Sequence, residues 1–149
     1  MLRGVIKMER SYFLIEVPIR FQDADPAGVL FFSRAFDLFH EAFEAFMATN
    51  GFPLQDIFLK SSFLFPVVHA EGDFKKPVRP GQKVRVLIVS GKRGITSFKV
   101  EYVVQSSEGE VIAKGSTVHV AVDKATGRPI ALPLKLASIL SKLEKKGAS

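Results

Sequence analysis

Between residues 29 and 50 the chain has no proline or glycine, and Phe32, Ala35, Phe36, Phe39, Phe43, Phe46 and Met47 recur at the spacing of one helical face. The spacing predicts a long helix over 29–50, stopped by Gly51, since glycine readily takes the left-handed conformation found just past a helix end. Its phenylalanines cover a broad arc, so the helix is expected to be wrapped on most sides. Ahead of it, residues 12–20 mix β-branched and aromatic side chains and run into the polar stretch Asp23-Ala-Asp-Pro-Ala-Gly28, a strand followed by a turn. Beyond it the pattern changes to alternation: Val84, Val86 and Ile88, then Phe98, Val100, Tyr102 and Val104, then Ser116, Val118, Val120 and Val122. Turn residues separate these runs at 79–82, 91–94, 106–109 and 123–129. Residues 53–60 read as a connecting piece, 134–143 as a short amphipathic helix, and 144–149 as a frayed tail. One strand, one buried helix and an antiparallel meander describe an α+β domain whose sheet curls around the helix.

At 149 residues the chain makes one domain, 1–149, with its core over about 12–140. It has no cysteine, which excludes disulfides, thiolate metal sites and a cysteine nucleophile. The apolar runs around Val29 and Val86 are far shorter than the roughly 18 to 20 residues a membrane span needs. Residues 1–10 hold no apolar signal segment, so a cytoplasmic location is expected. A net charge of +6 attracts phosphates of any kind. The basic residues are scattered, with small clusters at Lys75-Lys76-Arg79, Lys92-Arg93 and 142–146, and no dense block interleaved with aromatics, so nucleic acid is not the expected partner.

The chemistry concentrates where the first strand ends. Pro26 disfavours helical geometry at Asp25, and Gly28 permits close backbone approach, so the Asp25 carboxylate is expected outside the helix, near its first unbonded N–H groups. Such amides polarise a carbonyl or hold an oxyanion. Asp23 and Asp25 equally suit a helix cap, the commonest use of aspartate in that place. A calcium loop is excluded, because Ala27 stands where a third oxygen ligand belongs and Arg34 where the bidentate glutamate belongs. Among the three histidines, His40, His69 and His119, no close metal-ligand spacing occurs, and no G-x-S-x-G elbow is present. His69 alternates with Glu71 and Asp73 on one strand face and is a candidate for the edge of a cleft, while Glu41 and Glu44 on the long helix are weaker candidates.

The run F-x-D-x-D-P-A-G-V-x-F-F, with the phenylalanine-rich helix after it, resembles the 4-hydroxybenzoyl-CoA thioesterase family of hotdog proteins. The stretch 65–82 is similar to that family's second strand and following turn, and 122–133 to its last strand and Pro-containing exit, so the resemblance covers roughly 12–140. It implies a hotdog fold, a homodimer often paired into a homotetramer, active sites at the subunit interface, and hydrolysis of an acyl-CoA or aroyl-CoA thioester. The family's catalytic carboxylate falls on Asp25, its carbonyl-polarising backbone N–H near Phe32 just past Gly28, and Asp23 supports the loop. The resemblance also implies coenzyme A phosphates held by basic residues, for which Lys92, Arg93 and Arg128 in predicted turns are candidates, with Asp23 and His69 beside the substrate. No metal and no cofactor beyond the coenzyme A of the substrate are expected. The chain departs from the family at Ser33-Arg34-Ala35. A non-catalytic hotdog module binding an acyl group or a protein is the competing class.

Overall fold

A computed structural model describes residues 12–144 in full and residues 5–9 as backbone. In chain order the elements are β1 (Val5–Glu9), β2 (Tyr12–Pro18), a 3-10 turn (Phe21–Asp23), α1 (Phe32–Thr49), α2 (Leu54–Lys60), β3 (Phe63–Leu64), β4 (Val67–Phe74), β5 (Lys83–Arg93), β6 (Ser97–Ser106), β7 (Val111–Val120), β8 (Val122–Asp123) and α3 (Leu134–Ser141). Six strands form one antiparallel sheet in the order β1-β2-β5-β6-β7-β4, and β3 pairs with β8 in a two-stranded ribbon.

The α+β hotdog architecture follows from the pattern. Inward residues of β2, β5 and β6 (Phe13, Ile15, Val17, Val84, Val86, Ile88, Phe98, Val100, Val104) meet Phe39, Ala42, Phe43, Phe46 and Met47 of α1, and all are buried. Gly51, at φ 76°, ends α1 as expected. α3 covers the far end of this core with Leu136, Ile139 and Leu140, and a Cβ at Gly91 would lie 3.0 Å from the Cβ of Leu143, so the β5 backbone touches the turn that follows α3.

Five details differ from the sequence expectation. α1 begins at Phe32, three residues after Val29, because Leu30 N–H donates to Val78 O (2.7 Å) and Phe31 N–H to Asp23 O (2.8 Å), which holds that stretch extended. The connecting piece 53–60 contains α2, with Pro53 ahead of its first turn. Lys92 and Arg93 are the last residues of β5, paired with Lys99 and Phe98, and not turn residues. The meander holds for β5, β6 and β7, whereas β4 crosses over to the outside of β7. On β7 the alternating apolar residues Val118 and Val120 face away from α1, and the inward set is Ala113, Gly115, Thr117 and His119. The expected tail at 145–149 lies outside the described residues.

Candidate active site

Asp25 sits at the tip of a tight reversal between β2 and α1. An antiparallel bridge between Ala24 and Leu30 closes it, Asp25 N–H donates to Val29 O (2.8 Å), and Gly28 N–H to Asp25 O (2.9 Å). Gly28 has φ 80°, which an L side chain rarely adopts. Asp23 supports the loop from below: it is buried, its carboxylate accepts the Arg20 N–H at 2.9 Å, and its own carbonyl accepts from Phe31.

The capping alternative for Asp25 fails on geometry. The N-cap of α1 is Phe31, which has no side-chain hydrogen bond to the helix. Asp25 Oδ1 instead accepts from Ala27 N–H (2.8 Å) and Val29 N–H (3.4 Å) within its own loop. Those bonds fix the carboxylate's orientation, and Oδ2 carries no partner among the described residues. Half-buried Asp25 shares a cavity of about 320 Å³ with Val29, Leu30, Phe32, Phe74, Lys75 and Val78. The Phe32 and Ser33 amides, first in α1, find no acceptor among the described residues. A carboxylate residue and the residue that carries an unbonded helix-terminal N–H therefore line one largely apolar space, the pairing of groups that attack on a carbonyl carbon requires. The rings of Phe31 and Phe32 lie 4.8 Å apart and tilted by 44°, Phe32 and Phe74 meet edge to face at 6.5 Å, and Phe32 is 59% exposed, so flat aromatic surface is left open there.

The other candidates lie elsewhere in the single chain. His69 is exposed on β4, its Nε2 3.8 Å from Glu71 Oε2. Lys92 sits 3.7 Å from Glu101, and Arg93 is engaged by Glu144 and by the Ala137 carbonyl, which ties β5 to α3. Both stand nine or ten residues along β5 from Lys83, about 30 Å from the Asp25 end of the strand. Arg128 is exposed in a turn organised by Asp123, whose carboxylate the Thr126 N–H holds below its usual pKa range. Glu41 and Glu44 line a groove of about 580 Å³ along α1 with Asp37, His40, Val67 and Ala70.

Two features escape sequence reasoning. Lys75 and Lys76 reach the Asp25 cavity only because β4 ends there; they stand out in the sequence as a basic pair without a place. A second cavity of about 380 Å³, lined by His40, Leu54, Ile57, Phe58, Phe65 and Pro66, opens between α1, α2 and the start of β4. No sequence signal marks it, because its walls come from four separate segments. No group of three or more metal-ligating side chains occurs among the described residues, and no helix among them is long and apolar enough to cross a membrane.

The family model described as the Thioesterase-like superfamily matches residues 19–142. A 1,4-dihydroxy-2-naphthoyl-CoA hydrolase of Nostoc punctiforme is 36% identical over 115 residues, 77% of this chain and 77% of its own. One from Rippkaea orientalis is 33% identical over 128 residues, 85% of this chain and 93% of its own. Among solved structures, a 1,4-dihydroxy-2-naphthoyl-CoA thioesterase from Synechocystis superposes with a TM-score of 0.84 at 25% identity, covering 91% of this chain and 100% of the other.

Proposed function

Because this chain belongs to the thioesterase-like superfamily of hydrolases, we propose that it cleaves an aroyl-CoA thioester, with Asp25 as the reacting carboxylate. The observation that carries the reading is the single cavity lined by both Asp25 and Phe32, the residue whose amide is the first unbonded N–H of α1. A thioester carbonyl seated with its oxygen toward that N–H is polarised, and Asp25 Oδ2 attacks its carbon or draws a proton from a water that does. The carbon–sulfur bond breaks and coenzyme A leaves as the thiolate. After direct attack, water then hydrolyses the mixed anhydride on Asp25 and frees the acid and the carboxylate, whereas attack by water releases the acid at once and the proton held by Asp25 passes to the thiolate. Neither route calls for a metal. The exposed rings of Phe31, Phe32 and Phe74 favour a flat aromatic acyl group, and the naphthoyl-CoA substrate named for the relatives supports the same choice.

The working unit in this reading is a pair of chains. β4 ends the sheet with one edge unpaired, and Val67, Val68 and Phe74 on it are 45%, 58% and 48% exposed. Such an edge invites another strand. Two-fold antiparallel pairing of β4 with its copy sets the Phe74 end of one strand beside the Val67 end of the other. The pairing rows run Val67–His119–Phe98–Arg93 across one protomer. The second cavity and Lys92 of one chain thereby approach the Asp25 end of its partner, where Lys92 suits a coenzyme A phosphate.

Release of free thiol from benzoyl-, hydroxynaphthoyl- and fatty acyl-CoA by wild type and Asp25→Asn tests the proposal. The asparagine keeps the shape of the carboxylate and removes its charge, and the aroyl-CoA rate is expected to fall at least roughly 100-fold. Equal turnover by the two proteins overturns the assignment.

A further inference from the structure

A polar chain runs through the apolar core at the end of β4 away from Asp25. Tyr102 Oη lies 3.0 Å from Thr117 Oγ1, Thr117 Oγ1 lies 3.0 Å from His119 Nε2, and His119 Nδ1 lies 3.1 Å from the Phe65 carbonyl. All three side chains are buried, at 2%, 7% and 3% exposure. The carbonyl at the end can only accept, and burial keeps the imidazole neutral, and together these fix the direction of every bond. Nδ1 donates to Phe65 O, the imidazole is neutral with Nε2 as acceptor, Thr117 donates to Nε2, and Tyr102 donates to Thr117. The ring is clamped flat against Phe98 (4.7 Å between centroids, 4° between planes) and Phe43 (5.1 Å, 30°).

Apolar side chains would fill this space without any polar group to satisfy, so the chain of bonds calls for a reason beyond packing. Its terminus supplies one. Phe65 and Pro66 form the corner between β3 and β4, and Pro66 has no N–H to give a ladder. The corner is held by the bond from His119 to Phe65 O and by Val120 N–H to Pro66 O at 3.2 Å. Phe65 and Pro66 are also a wall of the 380 Å³ cavity, facing His40 of α1 and Phe58 of α2.

We infer that His119 is a positioning residue: through its bond to the Phe65 carbonyl it sets the Phe65–Pro66 wall of the apolar cavity, and that wall selects the acyl group delivered to the partner chain's reacting carboxylate. The inference rests on the thioesterase reading and on the pairing of β4 edges. His119 touches no reacting atom, and neither Thr117 nor Tyr102 does.

Thr117→Val removes the donor to His119 at nearly constant shape, His119→Phe keeps the ring stacking without either bond, and His119→Gln keeps a donor and an acceptor. For wild type and each variant, kcat and KM are measured with hydroxynaphthoyl-CoA and with acetyl-CoA, whose acyl group is too short to reach the wall. Thr117→Val and His119→Phe are expected to raise the ratio of the two KM values at least roughly tenfold while kcat for the aroyl substrate stays within about threefold, and His119→Gln to restore the ratio. A ratio unchanged in folded Thr117→Val, or a loss in kcat alone, overturns the inference, as does unfolding of all three variants, which would make the network purely structural. Nitrogen-15 shifts of His119 and amide exchange at residues 67–69 separate this outcome from failure of the hydrolase reading. Even if no thioester is cleaved, the Nδ1–H tautomer in wild type and faster exchange in Thr117→Val are expected. Equal exchange in the two proteins counts against the positioning role.

Discussion

No side chain fits at position 115: a Cβ there would lie 2.4 Å from Phe39 Cε2 and 2.6 Å from Glu71 O. Phe39 stacks on Tyr102 at 4.8 Å and cannot retreat without opening the core, so Gly115→Ala is expected to lower the unfolding free energy by about 1 to 3 kcal/mol in urea titrations. His119 makes a second residue-scale expectation. Burial pushes its pKa down to about 4, against 6.5 for an ordinary histidine, with the Phe65 carbonyl opposing the shift and His40 adding to it. Between those values the unfolded chain holds a proton that the folded chain does not. Stability is therefore independent of this group above about pH 6.5 and falls as pH drops toward 4. From pH 7 to pH 5 the loss from this residue is about 2 kcal/mol, and it should vanish in His119→Phe, as unfolding at the two pH values would reveal. If both proteins lose stability equally, the imidazole is not held neutral. Neither residue announces itself in the sequence, because alternation on β7 marks Val118 and Val120, which face away from the helix, while the buried face is glycine, threonine and histidine. A polar inward face is legible only once the phenylalanines and the Phe65 carbonyl that complement it are in place.

At the scale of elements, the loop between β2 and α1 shows what local pattern can and cannot specify. The strand, the turn residues, the long helix and the Gly51 stop were all readable, since each depends on neighbours in sequence. The helix starts three residues later than the pattern predicts because the acceptors that hold Leu30 and Phe31 extended, Val78 O and Asp23 O, are set by tertiary approach. The carboxylate of Asp25 was readable as a candidate, but the cavity beside it was not, for its far wall comes from 74–78 and 112–113. α2 is only seven residues long, too short for periodicity to separate from a connector. The reversal depends on Gly28 at φ 80°, and since a Cβ there would meet no heavy atom within 4 Å, a substitution acts through backbone strain alone. Gly28→Val is thus expected to cost about 1 to 3 kcal/mol or to relax the loop. In the second case aroyl-CoA turnover falls roughly tenfold or more with little change in Tm, since a small displacement of a reacting group is enough. Wild-type kcat with wild-type Tm would mean that the loop tolerates a side chain and that Asp25 needs no such fixing.

For the whole molecule, the edge of the sheet sets the question that a single protomer leaves open. β4 is exposed along nearly all its length although it carries Val67, Val68 and Phe74, and it borders both the Asp25 cavity and, at its other end, the wall that His119 holds. A surface strand of this kind would gain nothing from being apolar unless something covers it, and a second copy offers a self-complementary edge with every ladder bond satisfied. Val68 provides a clean probe, being 58% exposed in the protomer, so that Val68→Lys should leave the folded single chain intact. If two chains pair through β4, the charge meets its own copy or its neighbours across the two-fold axis, and like charges facing each other on paired strands are destabilising. Sedimentation equilibrium of wild type is then expected to give an even multiple of the 16.5 kDa chain, and that of Val68→Lys the single chain. Aroyl-CoA turnover should collapse in parallel although Asp25 and its loop are untouched, because the acyl-selecting wall belongs to the other subunit. A Val68→Lys protein that keeps both its mass and its turnover would place the active unit within one chain, and the Asp25 cavity alone would have to hold the whole acyl group.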